Sequence, residues 1–99
     1  MILYHLSPSR YRASIQAEGV RRLSFCIGRL VTHALQSRPS VGDLERIAEC
    51  HDTAVDYLDV WRLSVADEYV IRMGAPNLLI VTDVPPHHVE IVRSGLQER

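Results

Sequence analysis

The feature that most constrains the fold is the alternation of apolar and polar side chains in the second half of the chain. In the segment LDVWRLSV, the apolar residues Trp61, Leu63 and Val65 alternate with polar ones. A period of two places every second side chain on the same face of an extended strand. Residues 58–65 are therefore predicted to form a strand with one face against the core and one face in water.

Three more segments of this half are typical of strands. Tyr69, Ile71 and Met73 repeat the alternation, and a Gly-Ala-Pro break follows them. The segment LLIV at 78–81 is apolar throughout, as expected for a central strand that is buried on both faces. After a turn at DVPP, the segment HVEIV at 88–92 predicts a last strand.

The chain begins with a predicted strand that leads directly into a helix. In residues 2–7 the alternation assigns Ile2, Tyr4 and Leu6 to one face, and Leu3, His5 and Ser7 to the other. Ser7 can cap a helix that has Pro8 at its first position, and Gly19 is a typical C-terminal stop. Residues 20–26 follow as a second short strand, with Leu23 and Phe25 predicted to face the core.

Two further helices are predicted before the alternation begins. The segment IGRLVTHALQ at 27–36 has an apolar stripe at helical spacing, made by Ile27, Leu30, Val31, Ala34 and Leu35. Ser40 or Asp43 can cap a short helix that carries Leu44, Ile47 and Ala48. Helices early and strands late predict an α+β fold, in one domain over residues 1–99.

Composition excludes several classes of protein and partner. A hydrophobic content of 46% with 23% charged residues is typical of a globular chain. The formal charge of −1 gives no general attraction to nucleic acid or to an anionic membrane. No run approaches the ~20 apolar residues of a membrane span, and no signal-peptide pattern begins the sequence. With two cysteines and no disulfide framework, we expect a cytoplasmic protein without a membrane partner.

Three stretches follow one another in the order of a known family. They are LYHLSPSRYRASIQAEGV at 3–20, LDVWRLSV at 58–65 and NLLIVTDVPPHHVEIV at 77–92. Together they resemble the ADP-ribosyltransferase-like superfamily, especially its compact branch of RNA 2′-phosphotransferases and DNA-targeting bacterial toxins. The resemblance covers nearly the whole chain, and it implies a small split antiparallel β-sheet core with two to three short helices.

The resemblance implies an NAD site at the opening strand. In the family, the histidine of this strand hydrogen-bonds the adenosine ribose of NAD, and the neighbouring backbone holds the nicotinamide amide. Carried over, His5 contacts the ribose, while Ser7 lies beside the nicotinamide and Tyr4 belongs to the same binding set. Arg10 or Arg12 then reaches a phosphate. NAD is thus the implied substrate.

The resemblance also implies a catalytic carboxylate. Loosening the nicotinamide–ribose bond gives a cation-like transition state, which a carboxylate near the ribose normally stabilises. The candidates are Asp67, Glu68, Asp83 and Glu90, of which Glu68 and Glu90 are predicted to act together with His5.

Each of these residues also has a structural explanation. His5 can be a core histidine that is hydrogen-bonded to backbone, Ser7 can serve only as a helix cap, and Asp67 with Glu68 can form a solvated turn. The cysteines and histidines lack the paired spacing of a structural zinc site, so no metal is expected.

Two functions are compatible with these observations. The first is an NAD-dependent ADP-ribosyltransferase, toxin-like, that modifies a protein or nucleic-acid acceptor or hydrolyses NAD. It predicts a cleft where His5, an arginine and one carboxylate converge. The second is a non-catalytic protein on the same fold that binds a nucleotide-type ligand or a protein. It predicts an exposed apolar patch around Trp61 and the VPP turn. A homo-oligomer that buries strand edges is a further expectation.

Overall fold

The computed structural model describes residues 1–26, 28–74 and 77–97, in which two α-helices and seven strands form an α+β domain. The helices are α1 (Arg12–Glu18) and α2 (Val41–Cys50). The strands are β1 (Ile2–Pro8), β2 (Ser24–Cys26), β3 (Arg29–Leu35), β4 (Leu58–Ser64), β5 (Val70–Arg72), β6 (Asn77–Ile80) and β7 (Val89–Arg93). Short 3-10 turns lie at Ser9–Tyr11, Val55–Tyr57, Asp67–Tyr69 and Pro86–His88.

The strands form an antiparallel sheet with β1 near its centre. The order is β5-β6-β3-β1-β4-β7, and β2 pairs with β3 outside this row. β1 pairs with β4 along its whole length, from Ile2 to Pro8. In contrast, β1 and β3 pair at a single described position, Tyr4 opposite Leu35. The two strands diverge beyond this pair, and we refer to the point of divergence as the fork.

The pairing register decides which side chains share a face of the sheet. Residues directly opposite each other in an antiparallel pair point to the same side. His5 lies opposite Trp61, and Tyr4 lies opposite Arg62. Because successive side chains of a strand alternate, His5 and Tyr4 point to opposite faces. We name these the His5 face and the Tyr4 face.

Each face is covered by one helix. On the His5 face α1 contributes Ile15 to a cluster whose other buried members are Leu3, Val20, Ala34, Trp61, Leu63, Val65, Leu78, Ile80 and Val84. On the Tyr4 face α2 contributes Leu44 and Ala48 to a cluster that also contains Leu6, Leu35, Leu58 and Val60. The sheet is therefore the middle of three layers.

The prediction of a helix over residues 27–36 is wrong, because β3 (Arg29–Leu35) occupies most of this segment. Ile27 lies outside the described residues. Four residues of β3 are buried, namely Val31, Thr32, Ala34 and Leu35. A strand that is buried on both faces is apolar at nearly every position, so its sequence contains a helical stripe by accident. Pairing with β6 supplies the tertiary contacts that decide the outcome.

Predictions about three side chains of the first half and about Trp61 are also wrong. Leu23 and Phe25 are 85% and 73% exposed, because no described helix covers the hairpin of β2 and the start of β3. Ser7 caps no helix: β1 continues to Pro8, and α1 begins at Arg12 without a side-chain cap. Trp61 is only 2% exposed and therefore cannot belong to a surface patch.

Other predictions are confirmed. α2 begins with a capping box in which the Ser40 hydroxyl accepts from the Asp43 N–H and the Asp43 carboxylate accepts from the Ser40 N–H. Gly19 ends α1 at a φ of 79°, with its N–H bonded to the Ile15 carbonyl at 2.8 Å. A Cβ at Gly19 would lie 1.9 Å from the Val84 carbonyl oxygen, so this position must be glycine. β4, β6 and β7 lie in the segments that the sequence predicted to be strands.

Candidate functional site

His5 lies on β1 directly at the fork. Its Nδ1 is 3.0 Å from the backbone carbonyl oxygen of His33 on β3. A carbonyl can only accept, so Nδ1 carries the proton, and in the neutral ring Nε2 has a free lone pair. The side chain thus bridges two strands where their backbone pairing stops. It leaves one hydrogen-bond acceptor, Nε2, available.

The surroundings of His5 keep its ring neutral near pH 7. Burial lowers the pKa of His5, the hydrogen bond to the His33 carbonyl opposes this effect, and repulsion from His51 and His33 lowers the pKa further. The neutral ring is therefore the form to consider in any interaction near pH 7.

Trp61 is the cross-strand neighbour of His5 on the His5 face. It is 2% exposed, and its Nε1 is the one buried side-chain nitrogen or oxygen without a hydrogen-bond partner in the described part of the chain. An unsatisfied buried donor is unusual in a native fold and calls for an explanation. Since Trp61 is the only tryptophan, its fluorescence reports on this part of the sheet alone.

Arg12 is engaged in a buried ion pair. Its guanidinium donates to both oxygens of Asp59, from Nε at 2.9 Å and from NH2 at 2.6 Å, and NH2 also donates to the Gly95 carbonyl at 2.7 Å. Asp59 is completely buried and accepts a third bond, from the Gly95 N–H at 2.8 Å. The guanidinium is therefore committed to a structural contact, which argues against the predicted phosphate role of Arg12.

The segment after β7 is held by the same part of the molecule. The Ser9 hydroxyl donates to the Leu96 carbonyl at 2.6 Å, and the Leu96 N–H donates to the Asp56 carbonyl at 2.8 Å. A Cβ at Gly95 would lie 2.5 Å from the Leu58 carbonyl oxygen. We refer to residues 94–97 as the strap. It closes over the start of β4 and connects it to the start of α1.

The other predicted binding residues do not form one site with His5. Tyr4 points to the opposite face, where it packs against the cluster beneath α2. Ser7 lies on the His5 face and is buried. Arg10 is exposed, with its guanidinium 5.0 Å from the centre of the Tyr11 ring. Of Tyr4, Ser7 and Arg10, Ser7 is therefore the residue that lies on the same face of the sheet as His5.

The predicted catalytic carboxylates are not brought to His5. Glu90 pairs with Arg62 on the neighbouring strand, and both lie on the Tyr4 face. Glu68 lies in the exposed turn Asp67–Tyr69 between β4 and β5. Asp67 is 3.4 Å from the terminal amino group, and Asp83 binds Arg22 at 3.1 Å. Among the described residues, no carboxylate contacts the His5 ring.

Two shallow depressions on the described part of the surface are lined by residues other than His5. One, of about 300 Å³, is lined on the Tyr4 side by Ile2, Arg62, Ser64, His87, His88, Val89 and Glu90. The other, of about 120 Å³, is lined by Arg38, Pro39, Val60, Val92 and Arg93.

The sequence interpretation missed Asp59. The residue stands inside the apolar run Leu58–Trp61, where a carboxylate must be paired if it is buried. That position was the available signal, but the sequence did not indicate which of eleven arginines would be the partner.

Comparisons with protein-family models, with curated proteins and with solved structures find no match to this chain. The part of the chain that the structure describes holds no helix with the length and apolar character needed to cross a membrane. It also holds no group of three or more histidine, cysteine or acidic side chains placed to bind a metal ion.

Proposed function

We propose that this chain is an ADP-ribosyltransferase-like domain that binds an NAD-type dinucleotide at the fork and holds it without cleaving the nicotinamide–ribose bond. The observation that carries the proposal is the geometry of His5. Its ring is fixed by the His33 carbonyl at the fork, and Nε2 remains as an acceptor for a ribose hydroxyl.

The form of the sheet supports a ligand at this position. Within the described residues β1 and β3 pair at Tyr4 and Leu35 alone, so the backbone groups beyond this pair are not used by the two strands for each other. In the resembled family the sheet is split at the histidine strand, which is where this sheet has its fork. The unpartnered Trp61 indole N–H lies in the same region, opposite His5.

We propose that the bond is not cleaved because the predicted catalytic carboxylates do not lie beside His5 in the described residues. Cleavage needs negative charge close to the ribose that becomes cationic. Glu90 is neutralised by Arg62 on the Tyr4 face, and Glu68 makes no contact with His5 in the described residues. Because Nε2 of His5 is the one polar contact that the proposal assigns to the ligand, weak affinity is expected.

The test is a calorimetric titration of the protein with NAD, with ADP-ribose and with nicotinamide. A second titration with the same ligands monitors the fluorescence of Trp61. NAD and ADP-ribose are expected to bind saturably. His5→Gln should weaken both by about tenfold, the value of one lost hydrogen bond. His88→Gln, at an exposed histidine in the turn Pro86–His88, serves as the matched control and should leave affinity unchanged.

Two results would overturn the proposal. Absence of binding at millimolar NAD would refute the proposed NAD site. Release of nicotinamide by the wild type, lost in His5→Gln, would instead show a transferase or hydrolase. Chromatography of the reaction with and without cell extract distinguishes these two activities.

A further inference from the structure

The hairpin of β2 and the start of β3 has an apolar face that the fold leaves uncovered. Phe25 is paired opposite Leu30, so both side chains point to the same side. They are 73% and 48% exposed, and Leu23, immediately before β2, is 85% exposed. Three large apolar side chains in one small element are more than scattered surface residues require.

The outer edge of this hairpin is also unprotected. Within the described residues β2 pairs with β3 alone, so one edge of Ser24–Cys26 has free backbone groups. The three residues of β2 include no charge and no proline, the usual protection of an edge strand. The other edge strands are protected: β5 contains Arg72, and β7 contains Glu90 and Arg93.

The charged residues next to the hairpin along the chain are arginines. From residue 19 to residue 42 the sequence contains four arginines and no acidic residue. Arg29, at the tip of the hairpin, forms no ion pair in the part of the chain described here. At the other end Arg21 has a long contact with Glu18, at 3.6 Å, and Arg22 binds Asp83. A partner that supplies carboxylates therefore fits this element.

We propose that the hairpin docks an extended acidic segment of another protein, in which apolar residues alternate with Asp or Glu. The segment adds as a strand to the open edge of β2, its apolar side chains cover Phe25, Leu30 and Leu23, and a carboxylate of the segment pairs with Arg29 at the hairpin tip.

The arginines disfavour a second copy of this chain as the occupant. A two-fold antiparallel pairing of β2 with itself places the start of one strand beside the hairpin tip of the other. Arg21 and Arg22 of one copy would then approach Arg29 of the other at both ends. The leucines disfavour single-stranded nucleic acid, because Leu23 and Leu30 offer no aromatic surface for base stacking.

The test is a selection from a displayed library of random 12-residue peptides on the full chain, with counter-selection on the Phe25→Ser variant. Enriched peptides are expected to alternate apolar residues with Asp or Glu. One such peptide, labelled with fluorescein, should lose at least tenfold in affinity for both Phe25→Ser and Arg29→Glu. Val41→Ser, at a 69% exposed residue that begins α2, should change affinity by less than twofold.

Several results would overturn the proposal. The first is enrichment of basic or uncharged peptides, and the second is that no peptide survives counter-selection. The third is binding of a dT oligonucleotide, measured by fluorescence anisotropy, that is lost in Phe25→Ser. A wild-type dimer in sedimentation that becomes monomeric in Phe25→Ser would assign the surface to self-association. Circular dichroism confirms that each variant folds, and none of these results affects the proposed NAD site.

Discussion

The ion pair of Arg12 and Asp59 should be the most sensitive single contact of the fold. Asp59 is fully buried, and two of the three described hydrogen bonds to its carboxylate come from Arg12, at 2.9 and 2.6 Å. Replacing Arg12 with alanine leaves a buried carboxylate with the Gly95 N–H as its described partner. Removal of one member of such a pair typically costs about 3–5 kcal/mol of unfolding free energy.

That loss is large for a domain of this size. A chain of 99 residues typically has a total unfolding free energy of about 5–15 kcal/mol. With a urea dependence of about 1 kcal/mol per molar, the unfolding midpoint of Arg12→Ala should fall by roughly 3–5 M. Urea titration followed by the fluorescence of the buried Trp61 measures it directly.

Two further variants test the reasoning. Arg46→Ala breaks a half-exposed pair with Asp43 and should cost less than about 1 kcal/mol. Asp59→Asn, added to Arg12→Ala, removes the unpaired buried charge and should recover about 1–3 kcal/mol. The explanation is refuted if Arg12→Ala is no less stable than Arg46→Ala. It is also refuted if the added Asp59→Asn recovers nothing.

Three other predictions concern the strap, the fork and a helix end. Gly95→Ala should lower the unfolding free energy by about 1–3 kcal/mol because its Cβ would meet the Leu58 carbonyl; Gly42→Ala, whose Cβ would have its nearest contact at 3.8 Å, should show no loss in the same urea titration. The pKa of His5 is lowered on folding, so the unfolded state binds its proton more readily, and stability should fall as pH drops below about 6.5. Thermal unfolding from pH 8 to pH 5 should show this loss in the wild type and a smaller one in His5→Gln. Ser40→Ala should cost about 0.5–2 kcal/mol through the lost cap of α2, and an unchanged urea midpoint would contradict this.

The strands that the sequence predicted correctly are those with a local signal. β4 alternates, and the Ser40 cap has its reciprocal partner three residues later, so each can be recognised within one short window. β3 has no such signal. Its apolar positions suit a helix or a doubly buried strand, and only its pairing with β6, more than forty residues later, decides between them.

For the candidate site, too, the sequence predicted the features with a local signal and not those that depend on distant pairing. The alternation of residues 2–7 placed His5 and Tyr4 on opposite faces, as the pairing with β4 shows. The carboxylates were not predictable, since Glu90 meets Arg62 through a register between β4 and β7 that includes an irregularity after Val60. The partner of Arg12 likewise depends on the packing of α1 against β4 and on the path of the strap.

The central position of β1 has a consequence for how the chain reaches its native state during synthesis. β1 is synthesised before the other strands of the sheet, and its long partner β4 ends only at Ser64. At translation rates of about 5–20 residues per second, roughly 3–12 s pass between the synthesis of β1 and the synthesis of the end of β4. The pairing of β1 with β4 is not local, so this step of folding should be slow. The nascent chain is thus most exposed to aggregation, and most dependent on chaperones, before the second half of the sheet leaves the ribosome.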